Sequence, residues 1–261
     1  MPPDHLPRLL EIATAAAQST SDLILSAFRK SWLTSDRKAD GSPVTEIDRQ
    51  AEERIRRFLR AEQPEDWPIL GEELGGSTSG SRYRWLIDPI DGTLSYVRGI
   101  PMFGTLIAFE DTKDERTLVG VIHLPAFAET YAAARGLGAT CNGTPLRIAE
   151  DRELRDSIVS APDAAGFRIA GLEEAYLRLR PRIDHLRGYA DCWTHAMVTR
   201  GALDAAIEPY LNRWDIAATE VLIEEAGGKC LTRKSEVKPG SYAAIFGRSP
   251  LVDEIARIMN F

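Results

Sequence analysis

The chain has 261 residues, of which 44% are hydrophobic and 27% charged, and its formal net charge is −7. This composition is ordinary for a globular protein that can bury a sizeable core. The negative charge disfavours nonspecific binding to nucleic acid, and no apolar run approaches the roughly 20 residues that span a bilayer. The first residues lack the pattern of a secretory signal. We therefore expect a cytoplasmic globular protein that binds neither nucleic acid nor membrane.

The three cysteines Cys141, Cys192 and Cys230 are odd in number and far apart. This spacing fits neither a disulfide framework nor a zinc cluster. We expect reduced thiols with a structural role.

Two N-terminal segments, Leu6 to Phe28 and Val44 to Leu59, carry apolar residues at helical spacing. Each predicts one helix. The polar segment between them, Ser35 to Pro43, ends in turn-forming residues and predicts an exposed loop. Loops of this kind often close over substrates.

The middle of the chain changes to short strand-like runs, and an Asn142-Gly143 pair predicts a hairpin turn. These features predict an antiparallel sheet. Its expected strands are Arg84 to Asp88, Gly104 to Phe109, Leu118 to Leu124 and Glu129 to Ala134.

The C-terminal part alternates predicted strands and helices, which indicates a layered α/β or α+β sandwich. The acidic segment from Glu150 to Asp156 is the expected boundary between an N-terminal half, 1–150, and a C-terminal half, 151–261, of one compact unit. Expected strands are Ser157 to Ser160, Ala205 to Ile207 and Tyr242 to Phe246; expected helices are Glu173 to Leu179, Ile216 to Ala226 and one that Ser249 caps.

The strongest local signal is an apolar strand that runs into Asp-Pro-Ile-Asp-Gly-Thr at residues 88–93. Proline cannot donate to a sheet ladder, so Asp88 is predicted at the end of the strand. Asp91 falls in a tight turn, and Gly92 allows a ligand to approach the backbone. Two carboxylates and the Ile90 carbonyl could then converge as hard oxygen ligands, which suit Mg²⁺. Each aspartate alone could instead be simple turn chemistry.

Two further acidic residues occur where they could join this site. Glu72 follows a short apolar run, residues 67–70, that could be a strand ending at the same edge of the sheet. Asp215 begins a predicted helix, where an N-cap role is the plain alternative. Neither residue is informative alone.

Together these segments resemble the signatures of the inositol monophosphatase family: Gly-Glu-Glu at 71–73, Asp-Pro-Ile-Asp-Gly-Thr at 88–93 and Trp-Asp-Ile-Ala-Ala at 214–218. They occur in the family's order and at similar separations, and the resemblance spans essentially the whole chain. It implies a five-layered αβαβα fold, dependence on Mg²⁺ and a homodimer.

The resemblance also implies roles for individual residues. Glu72, Asp88 and the Ile90 carbonyl would hold one metal ion, while Asp88, Asp91 and Asp215 would hold another. Two ions ~3.5–4 Å apart can clamp a phosphate and activate a water for direct attack, without a covalent intermediate.

Four more residues complete the implied site. Thr93 would orient the attacking water with Glu72, and the backbone amides of Gly92 and Thr93 would bind phosphate oxygens. Asp48 has two interpretations, as the acidic member of a capping box or as a group that supports the metal ligands. Lys38 matches a family lysine near the phosphate, although a lysine in a polar loop is often merely solvated.

Two segments bear on the substrate, Gly188 to Trp193 and Ala206 to Pro209. They look like the histidinol-phosphatase branch of the family, with departures at Leu94 and Ala190. Carboxylates at Asp191 and Glu208 could bind the ammonium and imidazole groups of histidinol. Asp191 could also be a turn residue, and Glu208 has a counterpart in inositol-specific members.

The expected activity is Mg²⁺-dependent hydrolysis of a small phosphorylated metabolite, L-histidinol phosphate. Inositol 1-phosphate and nucleotide 3′-phosphates are alternative substrates. A protein of another class, a catalytically silent Mg²⁺-binding regulator, would be expected to have lost at least one metal ligand or Thr93, whereas all are present.

Overall fold

The computed structural model describes residues 5–30, 33–38, 43–64, 66–76, 80–148, 152–162, 164–237 and 239–261. The helices in these ranges are α1 (Leu6–Gln18), α2 (Ser21–Ala27), α3 (Glu46–Glu62), α4 (Thr93–Val97), α5 (Ala164–Ile169), α6 (Glu173–Leu179), α7 (Asp191–Thr199), α8 (Arg213–Glu225) and α9 (Ser249–Met259).

The strands in the same ranges form a small hairpin and two larger sheets. They are β1 (Asp36–Arg37), β2 (Pro43–Val44), β3 (Ile69–Gly71), β4 (Tyr83–Asp91), β5 (Gly104–Asp111), β6 (Arg116–Leu124), β7 (Glu129–Ala134), β8 (Gly138–Cys141), β9 (Thr144–Pro145), β10 (Ile158–Ser160), β11 (His185–Arg187), β12 (Ala205–Leu211), β13 (Lys229–Lys234) and β14 (Tyr242–Gly247).

The larger sheet has the strand order β3-β4-β5-β6-β7-β8-β9. β3 and β4 are parallel, and each later pair of neighbours is antiparallel. Helices α1 and α3 cover one face with apolar stripes at helical spacing. Leu9 and Ile12 of α1 and Ile55 of α3 belong to the same buried cluster as Trp85 and Phe109 of the sheet.

The smaller sheet has the order β11-β10-β12-β14-β13, with β10 parallel to both of its neighbours. Helices α7 and α8 lie between the two sheets. Val198 and Leu222 of these helices share one buried cluster with Leu106 of the larger sheet and Phe246 of the smaller. Helices α5, α6 and α9 cover the outer face of the smaller sheet. The described ranges thus form αβαβα layers, as the family resemblance implies.

The hairpin at Asn142-Gly143 is confirmed, because both residues have a positive φ between β8 and β9. The helix from Glu173 to Leu179 has the predicted bounds. Most other predicted elements are present with ends that differ by a few residues, since terminal residues of an element carry little pattern of their own.

Several sequence predictions were wrong. The segment from Leu6 to Phe28 forms two helices, because the chain turns at Ser19 and Thr20, whose hydroxyls bond to carbonyls of α1. The expected loop from Ser35 to Pro43 contains strand residues of the β1–β2 hairpin, and residues 39–42 lie outside the described part.

Two predictions near helix and strand ends also need correction. Strand β4 does not stop at Asp88 but continues to Asp91 through an irregularity in its pairing with β5. Helix α9 already includes Ser249, so the N-cap is Arg248. In the expected boundary segment, residues 150 and 151 are outside the described ranges.

Candidate active site

The Asp-Pro-Ile-Asp segment lies at the C-terminal end of β4. Asp88 pairs with Leu106 of β5 and Asp91 with Gly104, so the backbone between them departs from regular pairing. Asp88 is buried, and one of its carboxylate oxygens accepts a hydrogen bond from the Ile90 amide at 3.1 Å. This bond fixes the Asp88 carboxylate beside the irregular turn.

Asp215 comes to the same place from the first turn of α8. It is not the N-cap of this helix; it is the third helical residue of a capping box whose N-cap is Asn212. The backbone amide of Asn212 donates a hydrogen bond to Asp215 Oδ2 at 2.6 Å. Oxygen atoms of Asp88, Asp91 and Asp215 all lie within 4.8 Å of one another. Two elements that are distant in sequence, β4 and α8, therefore form one acidic cluster.

Glu72 directly follows β3, as the sequence suggested. Because β3 runs parallel to β4, with Gly71 opposite Ile87, Glu72 emerges at the edge where Asp88 lies. Its amide donates to the Ile87 carbonyl at 3.1 Å, and its carboxyl is a hydrogen-bond neighbour of Asp88. Glu72 is not one of the three residues, Asp88, Asp91 and Asp215, whose oxygen atoms lie within 4.8 Å of one another.

A residue that sequence reasoning missed, Glu52 of α3, holds the turn that carries Glu72. The fully buried Glu52 carboxylate accepts from the amides of Glu73 at 2.7 Å and Leu74 at 3.3 Å, and from Arg56 Nε at 2.7 Å. A Cβ at Gly71 would lie only 2.0 Å from Glu52 Oε1. Glycine before Glu72 is thus required by the buried carboxylate.

Lys38 reaches the cluster from the β1–β2 hairpin. Its Nζ contacts Glu72 Oε1 at 2.6 Å and Glu73 Oε1 at 2.5 Å. Burial alone would lower the pKa of Lys38, but the two glutamates outweigh it and raise that pKa. The lysine is an ordered partner of Glu72 rather than a solvated loop residue.

Asp48 is the acidic member of the capping box, as the first of its two interpretations expected. Its Oδ2 accepts from the Thr45 amide at 2.8 Å, which closes the capping box of α3. Its Oδ1 lies 3.2 Å from the Thr93 hydroxyl, which also lies 2.9 Å from the Ile90 carbonyl oxygen. The helix cap therefore places Asp48 against Thr93, next to the acidic cluster.

Gly92 follows Asp91 with φ 82°, in the left-handed region that favours glycine. A Cβ there would lie 2.7 Å from the Met102 carbonyl oxygen and 3.2 Å from Asp191 Oδ2. Gly92 thus allows α4 to begin immediately and lets Asp191 of α7 approach the backbone of the motif.

The carboxyl groups of the acidic cluster have raised pKa values. Burial raises the pKa of Asp88 and of Asp91 well above the ordinary value, and neighbouring carboxylates add to the effect. The pKa of Asp215 is raised to about 7, first by burial and then by Glu72. Carboxylates crowd together in this way at the cost of repulsion, which a divalent cation would relieve. An all-oxygen donor set fits a hard cation.

A second pair of carboxylates lies beside the cluster. Asp191 is the first residue of α7 and has φ 61°, and burial raises its pKa to about 6. Glu208 of β12 is buried, and burial followed by Asp191 and the clustered aspartates raises its pKa. Among the described residues, Glu208 Oε1 has no hydrogen-bond partner.

Helix α7 is the main element of the site that sequence analysis did not predict. Besides placing Asp191, it directs the Cys192 amide at Asp91 Oδ2.

The three cysteines are all unpaired, as expected. In the part of the chain that the structure describes, no helix is both long and apolar enough to cross a membrane.

The αβαβα layers place a cluster of carboxylates at the C-terminal end of β4, where they could hold a metal ion. The model of the inositol monophosphatase family matches residues 5–255. The chain belongs to this family, and it is a phosphomonoesterase with an acidic cluster of the kind expected for the family's metal dependence.

Individual relatives carry different activities in their names. A histidinol-phosphatase from Mycobacterium tuberculosis is 34% identical over 96% of this chain and 97% of its own length. A fructose-1,6-bisphosphatase/inositol-1-monophosphatase from Aquifex aeolicus is 31% identical over 86% of each chain. The solved structure of an inositol monophosphatase from Zymomonas mobilis is 30% identical, with a TM-score of 0.81 over 97% of each chain.

Proposed function

We propose that this enzyme hydrolyses L-histidinol phosphate to L-histidinol and phosphate in a Mg²⁺-dependent reaction. The observation that carries this substrate choice is a pair of carboxylates next to the acidic cluster, the partly buried Asp191 and the buried Glu208. Similarity to histidinol-phosphatases over nearly the whole chain supports the choice. We also propose that the enzyme is a cytoplasmic homodimer, as the family resemblance and the composition suggest.

The proposed metal ligands are Glu72, Asp88 and the Ile90 carbonyl for one ion, and Asp88, Asp91 and Asp215 for the other. When bound, such ions lower the pKa of a coordinated water and offset the charge of the phosphate. The short distances within the aspartate cluster support this assignment. Lys38 keeps the Glu72 carboxylate oriented through its ion pair.

Thr93 and Asp48 are the proposed pair that orients the attacking water. The Thr93 hydroxyl has one proton, and two acceptors lie within its reach, the Ile90 carbonyl oxygen at 2.9 Å and Asp48 Oδ1 at 3.2 Å. With the Ile90 carbonyl bound to a metal ion, the hydroxyl would donate to Asp48. The lone pairs of the hydroxyl then face a water molecule, while Glu72 accepts a proton from that water. Asp48 can do this because its second oxygen is fixed by the cap of α3.

Phosphate oxygens would be bound by the backbone amides of Gly92 and Thr93 at the start of α4. The left-handed conformation of Gly92 permits the backbone to approach a ligand without a side chain in the way. These amides do not titrate, so their contribution to phosphate binding depends on backbone geometry and adds to that of the metal ions.

The leaving group would contact Asp191 and Glu208. Their raised pKa values mean that each is costly to ionise without a cation nearby. The ammonium and imidazolium of histidinol provide such cations and can donate charge-assisted hydrogen bonds. A neutral polyol would leave the carboxylates without a charged partner.

Phosphate release should be measured with L-histidinol phosphate, inositol 1-phosphate and adenosine 3′,5′-bisphosphate, each with and without Mg²⁺. We expect turnover to require Mg²⁺ and kcat/KM to be highest for L-histidinol phosphate. Asp191→Asn should lower that kcat/KM by roughly one to two powers of ten, since an unmade charged hydrogen bond costs ~1.5–3 kcal/mol. The control is Asp184→Asn, which alters an exposed aspartate paired with Arg155.

The second candidate substrate is inositol 1-phosphate, which the Aquifex relative's name favours. Glu208 could accept hydrogen bonds from its hydroxyls. Equal or greater efficiency with inositol 1-phosphate would reject the histidinol assignment. Equal losses on both substrates in Asp191→Asn would instead show that Asp191 has a general structural role in the site.

A further inference from the structure

Two buried polar atoms face each other behind the proposed leaving-group site. His195 Nε2 of α7 and Glu208 Oε1 of β12 are 3.9 Å apart, which is too far for a hydrogen bond. Neither atom has a hydrogen-bond partner among the described residues. Buried polar atoms without a hydrogen-bond partner destabilise the folded protein, so this pair requires an explanation.

The helices that frame the site place the pair there. Asp191 and His195 are four residues apart on α7, and therefore lie on the same face one turn apart. On α8, Asp215 and Thr219 have the same spacing. His195 Nδ1 is 2.8 Å from the Thr219 hydroxyl oxygen. Each helix thus carries one proposed site carboxylate and, one turn further on, one member of the Thr219–His195 pair.

The neutral state of His195 allows it to donate a hydrogen bond toward Glu208. Burial lowers its pKa to about 3, so the ring is neutral near pH 7 and has a single N–H. If Nδ1 accepts a hydrogen bond from the Thr219 hydroxyl, the proton is on Nε2, which is the atom that faces Glu208. Phe246 contacts the ring edge to face, with centroids 4.9 Å apart, and helps to fix its plane.

We propose that His195 is a positioning residue for Glu208: its Nε2–H donates to Glu208 Oε1 when a cation binds, and so directs the other carboxylate oxygen at that cation. The cation's identity as an amino or imidazolium group of the substrate rests on the proposed function. A movement of about 1 Å would convert the present separation into an ordinary hydrogen bond.

A neutral donor suits this position better than a charged one. Besides burial, the charges of Asp191, Asp91 and Asp215 all disfavour the ionised form of Glu208. A lysine or arginine at position 195 would cancel the negative charge that the ligand needs. Neutral histidine stabilises the carboxylate by a hydrogen bond and leaves its charge to the ligand.

Steady-state kinetics of His195→Phe and His195→Gln test the proposal. His195→Phe keeps an aromatic ring but removes the donor, and should raise KM for L-histidinol phosphate about tenfold with a smaller change in kcat. Glutamine retains an N–H group, so His195→Gln should recover most of the loss. The matched control is Thr199→Val, which removes a buried hydroxyl on α7 that bonds to the His195 carbonyl; it should not raise KM selectively.

A double-mutant cycle separates positioning from general stability. If His195 acts through Glu208, His195→Phe should have little further effect on KM once Glu208→Gln is present. Additive losses in the double variant, or equal losses on L-histidinol phosphate and inositol 1-phosphate, would overturn the proposal.

Nitrogen NMR of the ¹⁵N-histidine-labelled enzyme is independent of the substrate. The chain has four histidines, so the His195 signals can be assigned by substitution. We expect a neutral ring protonated on Nε2, and a change in that tautomer in Thr219→Val. A proton on Nδ1 in the wild-type enzyme would refute the proposal. If the tautomer and the coupling to Glu208 are found but another phosphate ester with a cationic leaving group is the better substrate, the proposed function fails and the role of His195 stands.

Discussion

The acidic cluster makes a quantitative prediction about the stability of the metal-free enzyme. The pKa of Asp215 is raised to about 7 by burial and by Glu72, whereas an aspartate in an unfolded chain titrates near ~3.9. The folded metal-free protein therefore binds this proton more tightly than the unfolded chain does. Above pH 7 the carboxylate is ionised in both states, and its charge destabilises the fold.

Asp215→Asn removes that charge and should stabilise the metal-free protein at pH 8. A difference of about three between the two pKa values corresponds to ~4 kcal/mol as an upper bound. Because solvent reaches part of the side chain and screens it, we expect about 2 kcal/mol. This is ~4–8 °C in Tm for a chain of this size. Asparagine also retains an oxygen that can accept from the Asn212 amide, so the cap of α8 should survive.

Thermal melts in a chelator at several pH values measure the effect. The gain from Asp215→Asn should be largest above pH 7 and should disappear below about pH 4, as the wild-type carboxyl becomes protonated in the unfolded state as well as the folded one. Saturating Mg²⁺ should reverse the order, since ligand binding stabilises the folded state that binds it. A variant that is no more stable than wild type at pH 8 without metal would refute this view of the cluster.

Asp111→Asn serves as a control, because it should change the stability of the protein in the opposite direction. Burial tends to raise the pKa of Asp111, but hydrogen bonding to Arg82 lowers it overall. Its removal should therefore destabilise the protein above about pH 4, and the loss should fade on acidification.

The remaining predictions concern catalysis. Asp88→Asn should abolish turnover at saturating Mg²⁺ without loss of the fold, because Asp88 is the proposed ligand of both ions; near-normal turnover would exclude it from the metal site. Hydrolysis in ¹⁸O-labelled water should place the label in released phosphate, whereas a trapped phospho-aspartate would show that a side chain attacks first. Glu52→Gln should raise the Mg²⁺ concentration for half-maximal activity by about tenfold, because the turn carrying Glu72 loses a charged acceptor. An unchanged Mg²⁺ requirement would show that the turn holds its geometry without that charge.

The local chemistry of the β4 motif was predictable from the sequence, but its exact backbone was not. An apolar run followed by Asp-Pro indicates a strand end, and the carboxylates do lie at that edge. The sequence does not show that β5 resumes pairing at Asp91. The pairing irregularity accommodates Pro89, so the strand continues beyond the residue that was expected to end it.

Helix α7 was missed for a physical reason. Amphipathic helices are visible because one face is polar, whereas α7 lies between two sheets and is buried on nearly all sides. Its residues from Cys192 to Thr199 mix apolar, hydroxyl and imidazole side chains without a helical period. The contact between His195 and Glu208 depends on this helix, and no sequence spacing indicates it.

The layered fold gives the two leaving-group carboxylates different relations to the metal site. Asp191 begins the helix whose next amide donates to Asp91, and its carboxylate approaches Gly92 within the motif. Glu208 comes from β12 of the other sheet and is supported by His195 instead. A substitution of Asp191 can therefore disturb the loop that carries a metal ligand as well as the substrate contact. Neutralisation of Glu208 changes the charge presented to the leaving group while the backbone around Asp91 is left in place, so Glu208→Gln is the sharper probe of substrate class.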